Sequence, residues 1–294
     1  MDLYEIHKSD PGIFSRLTLR NQLFFYYHCP QLEQIIQLYS KHNILVFTLS
    51  GSRIIHHGDK KWISNRNHGL LLKRGAFAQE LPSDYSGWEV IVIHLKDGYL
   101  KKVFEEFRPY LRSEDLQKED VEMLEEFAIS DETRNCYESL IPYFSNPQTL
   151  PDTILEGKFK ELLFLILSNP SNGHILAYIN QIVDDYRKPI WEVMESNYFY
   201  NLNISEFAEI AKMSTATFRR EFKDYYKTTP GKWLTTRRLE KATTLLKTTK
   251  KTVSEITFDC GFKNLSHFSR IFKEKLKLSP KDYRLLDKES RSST

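Results

Sequence analysis

Ser214-Thr215-Ala216-Thr217-Phe218-Arg219-Arg220-Glu221-Phe222-Lys223 returns fifty residues later as Asn264-Leu265-Ser266-His267-Phe268-Ser269-Arg270-Ile271-Phe272-Lys273. The correspondence continues through Thr229-Pro230 and Ser279-Pro280 to Trp233 and Tyr283. Upstream the offset is 49, pairing Asn203-Ile204-Ser205-Glu206 with Thr252-Val253-Ser254-Glu255, so the second copy has one extra residue at its turn. Asn203 with Glu206, and Thr252 with Glu255, read as capping boxes, in which the first side chain accepts from the helix-start amides and the Glu reaches back. Each opens a helix of about two turns that ends near Lys212-Met213 in one copy and at Cys260-Gly261 in the other, where Gly permits a left-handed cap. Ser214 and Asn264 then cap a second helix. In it Phe218/Phe222 and Phe268/Phe272 share one face, because residues four apart lie above one another.

The opposite face is polar and basic: Thr215, Ala216, Arg219, Arg220 and Lys223 in the first copy, Asn264, Leu265, Ser266, Ser269, Arg270 and Lys273 in the second. A short helix, a tight turn and a second helix with such a face make a helix-turn-helix, whose second helix enters the major groove of DNA. Arg pairs with guanine O6 and N7, while Ser, Thr and Asn adapt to several base edges. The charge agrees. Residues 201–294 hold 21 Lys+Arg and 11 Asp+Glu, a net +10, whereas the preceding 200 residues sum to −7. An acidic front joined to a basic back is the split expected when one part meets a polyanion. A merely solvated helical repeat is the plainer alternative; duplication with cationic outer faces in both copies argues against it. Pro230 to Lys247 reads as one helix, with Pro230 at its first position and Leu234, Leu239, Ala242, Leu245 and Leu246 inward. Two recognition helices meeting one side of B-DNA must stand about 34 Å apart, and because the copies differ, their target needs no palindrome.

Three strings carry a resemblance: Met213-Ser214-x-x-x-Phe218-x-Arg220-x-Phe222-Lys223; Arg238-Leu239-x-x-Ala242-x-x-Leu245-Leu246; and Gly261-Phe262, followed by Phe268-x-Arg270-x-Phe272-Lys273, then Ser279-Pro280-x-x-Tyr283. On them, residues from about 190 to 286 resemble the DNA-binding domain of the AraC/XylS family of bacterial transcription regulators. The resemblance implies seven helices, sequence-specific binding to double-stranded DNA, activation of transcription and contact with RNA polymerase. Base contacts would fall on Ala216, Arg219 and Arg220 and on Leu265, Ser266, Ser269 and Arg270, with Lys223 and Lys273 near phosphates. Three positions depart from the family pattern. Lys227 and Lys277 stand where Gly is usual after the recognition helix, so the caps are expected to differ or to be strained, and Thr257 replaces a small Ala. Ala216 and Leu265 offer only apolar contact, such as with a thymine methyl.

Residues 1–95 read as β. Ile44 to Leu49, Ser52 to His57, Lys61 to Asn65, Gly69 to Lys73 and Trp88 to Leu95 are short apolar or β-branched runs separated by Gly, Asn and Asp turns, the pattern of a sandwich or small barrel. The strands with Gly51 and Gly58 resemble, more loosely, a cupin-type sensor domain. From about residue 99 the period becomes helical. Asp97 to Glu138, with 13 acidic and 6 basic residues, reads as an amphipathic helical stretch bearing Val103, Phe104, Phe107, Val121, Leu124 and Phe127. Asp152 to Ser168 carries an apolar stripe from Leu155 to Leu167 that serves as core or as a dimer seam. Asn169-Pro170-Ser171-Asn172-Gly173 breaks the chain, and the helix read after it, His174 to Asp185, fits the domain on either side. The expected fold class is therefore α+β: a cupin-like β-barrel or sandwich with flanking helices over 1–168, a regulatory or dimerisation domain; a linker over 169–188; and an all-α double helix-turn-helix domain over 189–290.

The 294 residues suit about two domains. No apolar run approaches the ~18 residues of a membrane span, and the N-terminus lacks a basic-then-apolar leader pattern, from which a cytoplasmic location is expected. Cys29, Cys136 and Cys260 are too scattered for a disulfide framework or zinc knuckle. A metal-dependent enzyme is the rival reading for a cupin-like front, on His56, His57, His68 and His94. Adjacent His56 and His57 point to opposite faces of a strand, and no carboxylate completes a facial triad. Neither phosphate loop nor nucleophile elbow occurs. No catalytic residue, metal or cofactor is therefore expected. A small-molecule or protein effector, or a second copy of the chain, would act at the front domain.

Overall fold

The computed structural model describes residues 1–19, 22–83, 87–111, 122–146, 150–183 and 187–285. The chain divides into two compact units, Met1–Tyr186 and Arg187–Thr294.

The first unit opens with helix α1 (Leu3–Ser9), whose N-cap Asp2 accepts from the Tyr4 amide. Its strands are β1 (Ser15–Leu19), β2 (Gln22–His28), β3 (Ile35–Ser40), β4 (Asn43–Gly51), β5 (Arg53–His57), β6 (Lys60–Ser64), β7 (His68–Leu72), β8 (Gly75–Glu80), β9 (Trp88–Leu95) and β10 (Leu124–Ala128). They form a six-stranded sheet in the order β1-β2-β9-β4-β7-β10 and a four-stranded sheet in the order β3-β8-β5-β6, with antiparallel pairings throughout. The two sheets are a sandwich rather than a closed barrel.

Alternation along the central strands builds two cores at once, because successive side chains leave opposite faces of a strand. Val46, Val90 and Val92 join Phe25, Leu70, Leu72 and Phe77 between the sheets. Leu45, Phe47, Ile91 and Ile93 face the other way, onto a helical layer. That layer is α2 (Asp97–Phe107), α3 (Asp131–Glu138), α4 (Ile141–Phe144), α5 (Asp152–Ser168) and α6 (Gly173–Val183). The stripe of α5, from Leu155 and Phe159 to Ile166 and Leu167, is spent on this core.

Two segments differ from the sequence reading. Leu124 and Phe127 lie on strand β10, paired with Leu72 and Gly69 of β7, and not on a helix; Val121 lies outside the described residues. Residues 169–183, set within the expected linker region 169–188, are a 3₁₀ turn and helix α6, which answers to the helix read over His174 to Asp185 and buries Ile175, Leu176, Ile179, Ile182 and Val183 in the first unit. The turn is fastened by fully buried Asn172, which accepts from Ala128 N (2.7 Å) and donates to Ala128 O (3.1 Å) and Ile166 O (3.0 Å).

The second unit is helical: α7 (Ile190–Asn197), α8 (Ile204–Ile210), α9 (Thr215–Tyr226), α10 (Pro230–Thr248), α11 (Val253–Asp259) and α12 (Leu265–Leu276), followed by a helical stretch over 280–285. The fold is thus α+β, a two-sheet unit with flanking helices ahead of an all-α unit, as the sequence predicts. Among the described residues no single helix is long and apolar enough to cross a membrane.

Helix α1 docks on the first unit through imidazoles. His7 Nδ1 lies 3.0 Å from His94 Nε2, and His7 Nε2 lies 3.1 Å from the Tyr27 hydroxyl. Burial pulls the pKa of His7 down to about 3. Burial, with the cations Lys96, Arg74 and Lys41, does the same for His42. His94 is pushed well down by burial first and by its neighbours second. The folded chain holds these rings neutral while the unfolded chain takes up their protons below about pH 6.5. Their contribution to stability is therefore complete above that pH and lost as the pH falls toward about 3. Acid titration of a Trp191→Phe, Trp233→Tyr protein, which leaves Trp62 and Trp88 as reporters, should show the first unit losing stability across this window. The added variant His7→Phe should show a shallower pH dependence.

Candidate nucleic-acid interface

Each half of the repeat is built by the same local rules. In the first, Asn203 Oδ1 accepts from Glu206 N (3.1 Å), and Glu206 Oε2 accepts from Asn203 N (2.6 Å). In the second, Thr252 Oγ1 accepts from Glu255 N (3.2 Å), and Glu255 Oε2 accepts from Thr252 N (2.6 Å). The short helices α8 and α11 end in matching turns, closed by Met213 N donating to Ala208 O (2.9 Å) and Phe262 N donating to Thr257 O (3.1 Å). Each turn needs a residue at positive φ. Gly261 supplies it at φ 77°, and Lys212 fills the equivalent place at φ 56°. A Cβ on Gly261 would stand 2.9 Å from the Phe199 carbonyl oxygen, so the second turn also needs the missing side chain for space.

Ser214 Oγ and Asn264 Oδ1 then cap α9 and α12, accepting from Thr217 N (3.1 Å) and His267 N (2.8 Å). Phe218, Phe222, Phe268 and Phe272 are fully buried. Phe222 meets Trp233 edge-on at 6.1 Å and 80°, and Phe272 meets Tyr283 edge-on at 5.5 Å and 82°, an arrangement aromatic quadrupoles favour. The same wedge thus seats both recognition helices. Thr257, which stands where the family pattern has a small Ala, is buried with its hydroxyl donating to Val253 O at 2.8 Å, four residues back.

With those rings inside, the opposite faces lie outside. Arg219, Arg220 and Lys223 of α9 and Arg270 and Lys273 of α12 are exposed. Among the described residues none of these five has a side-chain hydrogen bond or ion pair. Ala216 and Ser266 are also exposed, Leu265 is 41% exposed, and Thr215 and Ser269 are half-buried. Asn264 is exposed but gives its carbonyl oxygen to the cap. The structure therefore groups the sequence-predicted residues on the outer faces of the two helices, with Thr215 and Asn264 at their starts. Lys263, the residue inserted at the second turn, is exposed beside them, and its sequence signal is the change of offset from 49 to 50.

Three other arginines of this unit are occupied. Arg238 donates through Nε to Tyr198 O and through Nη2 to Tyr200 O, both at 2.7 Å, and burial lowers its pKa to about 10. Arg237 bonds Glu195 (2.7 Å) and Glu240 (2.8 Å). Arg284 donates to Leu246 O and Lys251 O. Sequence reading assigns none of these three a role, because their partners are backbone carbonyls, a carboxylate 42 residues away and, for Arg237, an ordinary i,i+3 neighbour. Elsewhere, His56 bonds Glu80 (2.5 Å), His57 the Ala76 carbonyl and His68 the Ile63 carbonyl. Among the described residues no three His, Cys, Asp or Glu side chains gather as a metal would require.

Two family patterns match the chain: "Helix-turn-helix domain" over residues 207–285, spanning both halves of the repeat, and "ExsA N-terminal regulatory domain" over 43–178. In both stretches the chain is thus similar to transcription regulators of the AraC/XylS kind. Relatives include the virulence regulon transcriptional activator VirF of Yersinia enterocolitica, 25% identical over 135 residues, which are 46% of this chain and 50% of VirF. The HTH-type transcriptional regulator ExsA of Pseudomonas aeruginosa is 22% identical over 211 residues, 72% of this chain and 74% of ExsA. Among solved structures, a transcriptional regulator with an AraC-type DNA-binding domain from Chromobacterium violaceum is 30% identical, covering 33% of this chain and 88% of its own, with a TM-score of 0.31. The chain matches 36–50% of the length of the first curated relatives.

The departures at Lys227 and Lys277 keep the left-handed geometry with a lysine in it, at φ 55° and 63°. A side chain in that region carries a steric cost that glycine lacks. Lys277→Gly and Lys227→Gly should each stabilise the second unit by about 1 kcal/mol, read as a raised midpoint of urea unfolding at unchanged slope.

Proposed function

We propose that this chain binds double-stranded DNA sequence-specifically and regulates transcription, with α9 and α12 entering neighbouring major grooves. The observation that carries this reading is the set of exposed, uncommitted cations on both recognition faces, Arg219, Arg220, Lys223, Arg270 and Lys273, beside tied cations such as Arg238 on the same unit. Free guanidinium groups on a helix face suit guanine edges, and free ammonium groups suit phosphates. The roles follow by position. Arg219, Arg220, Ser266, Ser269 and Arg270 read bases. Ala216 and Leu265 make apolar contact, Lys223 and Lys273 hold the backbone, and Thr215 and Asn264 sit where the helix starts approach it.

VirF is named a transcriptional activator, and activation, with contact to RNA polymerase, is the outcome we assign here. The space between the sheets is lined mainly by apolar side chains such as Val46, Ile55, Phe77 and Val92, with Ser64 and Gln79 as its polar members. Such a tight, mainly apolar lining favours a docking or homodimerisation role for the first unit over a site for a polar small molecule. An effector acting there would shift a pre-existing equilibrium of the protein. The reading places the chain in the cytoplasm and gives it no catalytic step.

Selection of duplexes from a random pool by the full chain tests the proposal. The expected result is an asymmetric motif with two half-sites about 10 base pairs apart; recovery of unrelated sequences would overturn it. On the selected site, Arg270→Ala should weaken binding by ~1–3 kcal/mol and relax preference at one base pair. Lys273→Ala should weaken binding to all sequences alike and flatten its salt dependence. Both are read by fluorescence anisotropy at several salt concentrations.

A further inference from the structure

Far from the repeat in sequence, three lysines converge on one aromatic ring. The ammonium groups of Lys8, Lys41 and Lys96 stand 5.2, 5.1 and 4.4 Å from the centre of the Tyr4 ring. Two of them have carboxylate partners: Lys8 lies 3.8 Å from Glu5, and Lys41 lies 3.0 Å from Asp2 and 2.9 Å from Glu5. Lys96 differs. Among the described residues its Nζ meets only His42 Nε2, at 2.9 Å, and the Tyr4 ring. It is half-buried at the start of α2, where it makes no side-chain cap. The charged and titratable groups facing it are Asp2, Tyr4, Glu5 and Lys8 from α1 and its cap, Lys41 and His42 from the turn between β3 and β4, and His94 from β9. Arg74 nearby is paired with Asp97 at 2.9 Å.

We propose that Lys96 is a covalent modification site, acylated on its ε-nitrogen by an acyl phosphate. The ammonium first gives a proton to water. The amine keeps one N–H donating to His42 Nε2, which leaves the nitrogen lone pair free to attack. The lone pair forms a bond to the acyl carbon, the carbon–oxygen bond to phosphorus breaks, and phosphate departs with that electron pair. The nitrogen then sheds a second proton, giving an N-acyl-lysine and inorganic phosphate, with nothing oxidised or reduced.

The surroundings favour each stage. Burial, then the charges of Lys41 and Lys8, lower the pKa of Lys96, so a larger share is the nucleophilic amine. His42 is itself held neutral and therefore accepts rather than repels. Lys8, with its side chain 43% exposed, offers a cation to the incoming anion and to the departing phosphate. Acylation removes one of three crowded positive charges and the cation over the Tyr4 ring.

The full chain, incubated with acetyl phosphate near neutral pH and followed by site-resolved mass spectrometry, tests this. Exposed Lys61 and Lys102 serve as internal references. Lys96 should acetylate severalfold faster than either, with the midpoint of its pH–rate curve below theirs. Lys8→Gln should slow Lys96 and leave both references unchanged. Equal rates at the three lysines, or a Lys96 rate indifferent to Lys8→Gln, would overturn the proposal.

Discussion

In each half of the C-terminal unit a helix is held by two phenylalanine rings one turn apart, wedged against a third aromatic side chain. Phe218 and Phe222 pack with Trp233, and Phe268 and Phe272 pack with Tyr283. Everything about the outer faces depends on this wedge. A helix has one rotational freedom about its axis, and burying a ring at i and i+4 removes it. The cations of α9 and α12 are then directed outward with no partner needed to aim them. The capping boxes fix where the preceding helices begin, and the positive-φ residues Lys212 and Gly261 fix how sharply the chain turns between them.

A comparable economy organises the N-terminal unit. The six-stranded sheet is covered on both faces, by the second sheet on one side and by helices on the other. Its central strands are consequently apolar at nearly every position, as in Ile44 to Phe47 and Val90 to Ile93. The buried Asn172 is bonded at both ends of its amide, to Ala128 and Ile166. The neutral imidazoles beneath α1 are the costlier case, since they hold the helix down only while they remain uncharged.

The helical repeat was legible because its determinants are local. Caps, turn residues and ring spacing all act within a dozen residues, and duplication displays each of them twice. The outer-face residues were legible for the same reason, since fixing the buried ring positions fixes their opposites. Long-range pairing was not legible. Leu124 and Phe127, three apart, fit a helical period, yet as a strand they serve opposite faces, Leu124 between the sheets and Phe127 under the helices. That strand exists because Gly69 on the neighbouring strand leaves room for the Phe127 ring, where a Cβ would lie 2.2 Å away. Likewise Asn169 to Gly173 looks like a linker in isolation. Only the bonds from Asn172 to a strand 44 residues away make it a corner of the core. The roles of Arg238 and Arg284 escaped for the same cause, since a carbonyl acceptor has no residue-type signature.

The twin wedges also bear on how such a protein changes over generations. The rings that seat each helix and the side chains that face solvent occupy opposite sides of the same twelve residues. After an ancestral duplication, drift is tightly constrained on one side and nearly unconstrained on the other. Ala216 and Arg219 of one copy correspond to Ser266 and Ser269 of the other, while the phenylalanines are the same in both. A lineage can thus retarget one half at a time while its sibling keeps the old address and the fold stays intact.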